Sequence, residues 1–178
     1  MEYTLKNGKK LLLRAPTPDD AQAMIDVFHQ ADSESRFLGR EPGEFRYTVE
    51  QEAEVLSNVI ADPDRVWFLP VCDGKVVGQA SANIKDSKRC RFRHRATLGF
   101  VLVKEYWNMG IGGKMMEACL AWCREKGVEQ AELTVVADNM RALRMYLSFG
   151  FRFVGRYPRA LKYADGSYAD EYIMVKEL

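Results

Sequence analysis

ATLGFVLVKEYWNMGIGGKMMEACLAWC, residues Ala96 to Cys123, is the stretch whose reading decides the fold. A β-rich apolar run from Ala96 to Val103 leads into a turn carrying Gly110, Gly112 and Gly113. A helix follows, with Ile111, Met115, Met116, Cys119, Leu120 and Cys123 at helical spacing. Glycine is needed at such a turn because it tolerates positive φ and lets several backbone N–H groups converge on an oxyanion. The helix N-terminus adds roughly half a positive charge. The junction is a seat for a phosphate group, pyrophosphate being the natural guest.

Two familiar phosphate patterns fit poorly. A P-loop needs a hydroxyl residue after its lysine, yet Lys114 is followed by Met115. A dinucleotide fingerprint needs a third glycine at position 115, and no acidic residue clearly closes the next strand. Glycine turns before helices also occur with no ligand, and spacing alone leaves that open.

Upstream, Lys9 to Arg14 reads as a strand. Thr17 caps a helix with Pro18 at its first position and Ala21, Met24, Ile25 and Phe28 on one face. Periodicity is lost from Asp32 to Tyr47 and returns in a helix from Thr48 to Ala61, with Gln51 completing a capping box. Val66–Cys72 and Lys75–Ile84 flank Asp73-Gly74, a strong hairpin signal. Lys85 to His94 is a basic, solvated connection. Downstream come a strand from Gln130 to Ala137, a helix from Asn139 to Phe149 stopped by Gly150, and two strands, Phe151–Tyr157 and Tyr168–Val175. The expected fold class is α+β (an α/β/α sandwich), with helices on both faces of a mostly antiparallel sheet of six to seven strands. Residues 1–178 are read as one domain.

The 178 residues include 47% apolar side chains, and 26 basic residues oppose 25 acidic ones. So even a balance argues against nucleic-acid binding as the main activity. No apolar run reaches the roughly 20 residues of a membrane span, and the first residues carry no signal-peptide pattern, so a cytoplasmic protein is expected. Cys72, Cys90, Cys119 and Cys123, with His29 and His94, lack metal-ligand spacing; free thiols and no metal are expected.

The run LVKEYWNMGIGGKMM resembles the central motif of the GCN5-related N-acetyltransferase (GNAT) superfamily, Gln/Arg-x-x-Gly-x-Gly/Ala at a strand-to-helix turn. Gly110 and Gly112 match, while Trp107 stands where Gln or Arg is commonest, removing one phosphate-facing side chain. A second block agrees: Asn139 to Ala142, then Tyr146 to Phe151, resembles the family's Asn-x-x-Ala and Tyr-x-x-x-Gly-Phe segment. The resemblance covers nearly the whole chain and implies acyl transfer from acetyl-CoA to an amine. It also implies a strand before the glycine turn splayed from its neighbour, with Leu102 and Val103 contacting the pantetheine arm. The backbone of Asn108, Met109, Gly110, Ile111, Gly112 and Gly113 would hold the pyrophosphate. Asn139 would contact the cofactor near its thioester, and Tyr146 would protonate the departing thiolate. Asn139 also reads as a plain N-cap, Tyr146 as a core tyrosine, and Arg141 and Arg144 either as solvated or as partners of the adenosine phosphate.

The base is left open. Family members with a glutamate in the strand before the turn contrast with Arg95 to Gly99 here, which holds no carboxylate. His94, Glu132 and a water relay are the candidates. The acceptor side is expected at Asp32–Tyr47 and Tyr157–Asp170, where aromatics mix with charges. A small-molecule primary amine ranks above a protein N-terminus or lysine; a non-catalytic acyl-CoA sensor is the alternative from another class. Neither a nucleic acid nor a membrane is expected as a partner, and a homodimer is compatible with this reading.

Overall fold

Asp73-Gly74 turns the chain as its sequence predicts. Both residues have positive φ, 50° and 79°, the geometry that suits a tight hairpin. In the computed structural model, which describes residues 1–5, 7–86 and 88–178, the pair joins β3 (Arg65–Cys72) to β4 (Lys75–Val76). At Val77 the register slips by one residue, and its N–H reaches Pro70 O at 2.9 Å. The slip is a bulge, and it splits the expected Lys75–Ile84 strand into β4 and β5 (Gly78–Ile84).

Nine strands and four α-helices form from the described residues. The remaining elements are β1 (Glu2–Thr4), β2 (Lys10–Arg14), α1 (Ala21–Glu34), α2 (Val49–Ala61), β6 (Arg95–Leu102), α3 (Ile111–Glu125), β7 (Gln130–Val136), α4 (Met140–Ser148), β8 (Arg152–Lys162) and β9 (Tyr168–Glu177). Sheet order is β1-β2-β3-β5-β6-β7-β9-β8, with β4 on β3. The count exceeds the expected six to seven because the bulge divides one strand and β1, three residues long, carries no sequence signal of its own. The basic connection from Lys85 to His94 is largely exposed, and its Ser87 lies outside the described residues.

Strand β8 also runs further than its sequence suggests, through Pro158 to Lys162. A proline is tolerated there because β8 is the sheet's edge. The ladder is irregular between Tyr157 and Leu161, and Arg159, at φ 52°, gives its N–H to the Asp170 carboxylate at 2.7 Å.

The only parallel pair among the described strands is β6–β7. Right-handed crossovers through α3 and α4 place both helices on one face of the sheet. Helices α1 and α3 each pack on β5 and β6 but not on each other, so α1 covers the opposite face. The α3 side is dry: Ile111, Met115, Met116 and Cys119 are buried against Ala80, Ala82 and Leu98.

The β6–β7 ladder is short. Arg95, Ala96 and Thr97 face Gln130, Ala131 and Glu132, and beyond Thr97 the strands part. Meanwhile β6 stays paired to β5 up to Leu102. Gly78 makes that closeness possible, since a Cβ on it would lie 2.3 Å from Val101 O. Gly78→Ala should therefore lower stability by about 2 kcal/mol or more, because backbone must move to admit the methyl. Gly39→Ala, where nothing lies within 4 Å, should stay within about 0.5 kcal/mol. Urea unfolding of both variants checks the contrast.

Candidate active site

Alternation along β6 decides which backbone groups are free. Val103 gives its N–H to Val77 O at 3.1 Å, and Lys85 gives its N–H to Arg95 O at 2.8 Å, so the odd-numbered residues point their backbone at β5. Even-numbered Phe100 and Leu102 point theirs the other way, where β7 has departed. The Leu102 carbonyl is met by the Trp107 indole N–H at 2.7 Å. What remains on that edge includes the N–H of Leu102 and both polar groups of Phe100.

This edge opens into a cleft of about 590 Å³. Leu102, Asn108, Gly110, Ile111, Gly112, Gly113, Asn139 and Tyr146 all line it. Val103 does not: its side chain is buried and its N–H is committed to β5. Met109 also stands outside the wall, its sulfur taking a hydrogen bond from Asn7 at 3.5 Å.

The glycine turn is shaped to receive an anion. Gly110 is the N-cap of α3 at φ 85°, and no side chain caps the helix. Lys114 N–H is the first to find an acceptor in the turn, Gly110 O, so the Ile111, Gly112 and Gly113 amides stay open. A Cβ on Gly112 would press on the Met145 sulfur at 3.1 Å, which fills the approach. Positive charge arrives from α4. The Arg141 guanidinium stacks on Trp107 at 4.1 Å and its Nε donates to Asn108 Oδ1 at 3.1 Å. Arg141 and Arg144 both line the cleft, so the tryptophan in the motif's arginine position serves as the platform for an arginine from elsewhere.

Asn139 is the N-cap of α4, its Oδ1 accepting from Ala142 N–H at 3.1 Å. That contact leaves the side-chain NH₂ without a partner among the described residues, and Asn139 lines the cleft. Tyr146 is buried between Phe100 and Phe151, ring centroids 6.1 and 6.0 Å away, and its hydroxyl bonds to no described residue. Burial pushes its pKa well above the ordinary phenol value, so it stays a proton donor at neutral pH.

Neither expected base lines the cleft. His94 is exposed in the basic connection, its carbonyl accepting from Glu129 and Gln130. Glu132 is held by Lys85 at 2.7 Å, by Arg95 and by the Thr97 hydroxyl at 3.2 Å. Burial alone would raise its pKa, but the two cations outweigh that and hold the carboxyl below its usual range. It pins the last paired residues of β6 and β7. The carboxylate among the described residues that does line the cleft is Glu171, on β9 beside Val136 of β7. Sequence reasoning passed over it because β9 reads as an ordinary alternating strand. Its place on β9, two strands from the one that leads into the glycine turn, is visible only in the sheet.

Cys119 and Cys123 are buried away from the cleft, and burial pushes the Cys123 thiol up to about 11. No thiol lines the cleft among the described residues, so the site has no nucleophile for a cysteine acyl-enzyme.

A profile of the acetyltransferase (GNAT) family matches residues 22–151. The L-amino acid N-acetyltransferase AaaT of Escherichia coli (strain K12) is 33% identical over 124 residues, 66% of this chain and 72% of that protein. N-alpha-acetyltransferase 30 of Schizosaccharomyces pombe is 30% identical over 137 residues, 73% of this chain and 77% of that one. Among solved structures, an acetyltransferase of the GNAT family from Streptococcus pneumoniae superposes with a TM-score of 0.88 at 27% identity, covering 94% of this chain and 99% of that chain.

The Glu132 cluster carries a prediction of its own. A carboxyl depressed in the folded state stabilises above its unfolded pKa, and that stability is lost as pH falls through the folded value. Glu132→Gln should cost about 1–3 kcal/mol at pH 7, by leaving Lys85 and Arg95 unpaired. The gap to wild type should shrink below about pH 4, near and under the ordinary glutamate value. Denaturant unfolding at both pH values measures it.

Proposed function

This chain belongs to the acetyltransferase (GNAT) family, and from that premise we propose that it moves the acetyl group of acetyl-CoA directly to the primary amine of a small molecule. The carrying observation is the parting of β6 and β7 beside a glycine turn with open amides. The residues fit acetyl-CoA. Three helix N-terminal amides and Arg141 suit a pyrophosphate, and the polar edge of Phe100 and Leu102 suits the amide-rich pantetheine arm. When bound, acetyl-CoA supplies a thioester whose leaving thiol has a pKa of about 8.5.

The chain's own part is then positioning and proton management. The β6 edge and the Asn139 NH₂ fix the arm, and holding two reactants in line gives the greatest rate gain open to a site without covalent catalysis. Tyr146, protonated at neutral pH, donates a hydrogen bond to the departing sulfur. Being a weaker acid than the thiol, it steadies the charge and relays a proton rather than giving one up outright.

On the acceptor side, the segment after α1 is tied to the β8–β9 hairpin. Arg36 stacks on Tyr163 at 4.1 Å and reaches Asp165 at 3.2 Å and Ser167 at 2.9 Å. Tyr163 O–H returns to Arg36 O at 2.9 Å, and Ala164 N–H meets the Glu41 carboxylate at 2.8 Å. That closure supports a compact acceptor over a protein chain, as does the likeness to an L-amino acid N-acetyltransferase.

An amine panel with acetyl-CoA, followed by free-thiol release, tests the proposal. L-amino acids and other small primary amines should turn over. Turnover confined to peptide N-termini would move the reading to protein acceptors, and tight acetyl-CoA binding with no thiol release would make the chain a sensor. Tyr146→Phe should lower kcat about 10²-fold with little change in acetyl-CoA affinity. Arg141→Ala should weaken CoA binding about tenfold by calorimetry, the loss of one charge-assisted contact.

A further inference from the structure

The sheet divides the cleft into two chemical sides. Thr97 and Glu132 touch across β6 and β7, so Thr97, Gly99 and Val101 share a face with Glu132, Thr134 and Val136. Glu171 is opposite Val136, and its Oε1 is 3.4 Å from the Thr134 hydroxyl, which puts it on that face too. Phe100 and Leu98 lie on the other face, where Phe100 meets Tyr146. Tyr146 and Glu171 therefore stand on opposite sides of the gap between β6 and β7. Glu171's side is the one covered by α1, and Ala31 and Ser35 of that helix and its cap line the same cleft.

We propose that Glu171 is the general base that takes the proton from the acceptor amine. The proposal rests on the acetyltransferase reading above. Two observations separate Glu171 from the chain's other acids. It lines the cleft, and among the described residues it makes no salt bridge, whereas Glu132 is locked by two cations and Asp170 by Arg156. A carboxylate held only by a hydroxyl keeps lone pairs for an ammonium. An alkylammonium of pKa about 10.4 gives up its proton at neutral pH only at a cost, so a carboxylate at the point of attack matters. In the balanced step, Glu171 takes one proton from the ammonium, directly or through a water. The nitrogen bonds to the acyl carbon, the C–S bond breaks, and the nitrogen's second proton ends on sulfur by way of Tyr146. Glu171 then releases its proton to solvent.

The test compares two acceptors. One is the L-amino acid that wild type acetylates fastest; the other is hydroxylamine, which is already mostly unprotonated at neutral pH and needs no base. Glu171→Gln should lose about 10²-fold or more in kcat/KM with the amino acid and less than about threefold with hydroxylamine, at unchanged acetyl-CoA affinity. Glu171→Asp, which keeps a carboxylate, should recover part of the amino-acid rate. Equal losses with both acceptors, or no loss with either, would overturn the role. Failure of wild type to acetylate any amine would instead overturn the acetyltransferase reading, and the base with it.

Discussion

Unpaired backbone on one side of β6 is the constraint on which this structure depends. Buried N–H and C=O groups are costly without partners, and sheets exist largely to pair them. Here β6 keeps β5 along its whole length but loses β7 after Thr97. Glu132 sits at the last paired position and binds Lys85 and Arg95, so the ladder is pinned where it ends. Gly78 lets β5 stay close to Val101 as β6 bends away. The result is a strand edge aimed into a cleft, with the glycine turn at its far end.

From that edge the chemistry sorts itself by side. Anion-seeking groups gather where β6 meets α3: open amides at Ile111 to Gly113 and Arg141 on its Trp107 platform. Tyr146, the proposed proton donor, is on the α4 face and is kept protonated by burial. Glu171, the proposed base, is on the α1 face. A donor and an acceptor on opposite sides of a gap suit a transfer in which one group arrives as another leaves. The tie between Arg36 and the Asp165–Ser167 segment links the end of α1 to the β8–β9 hairpin, and the compact acceptor proposed above rests on that link.

Much of this was legible in the sequence because it is local. The hairpin follows from Asp73-Gly74, the capping box from Thr48 and Gln51, and the glycine turn opening α3 from Gly110 and Gly112. What was not legible depends on strand register. Val103 reads as a cleft residue until its N–H is seen on Val77 O, because one step along a strand reverses the direction of its backbone groups. Glu132 and Glu171 are both acids in alternating strands, and only cross-strand neighbours distinguish the ion-paired one from the one lining the cleft. Trp107 looked like the loss of a cation; the replacement comes from α4, more than thirty residues later.

Amide hydrogen exchange with and without acetyl-CoA tests the central claim, that β6's free edge holds the donor. The Phe100 and Leu102 amides should exchange freely in the unliganded protein and become protected on binding, together with those of Ile111 to Gly113. Val103, already bonded to β5, should be protected in both states. Protection arising elsewhere, with Phe100 and Leu102 unchanged by saturating acetyl-CoA, would contradict the account.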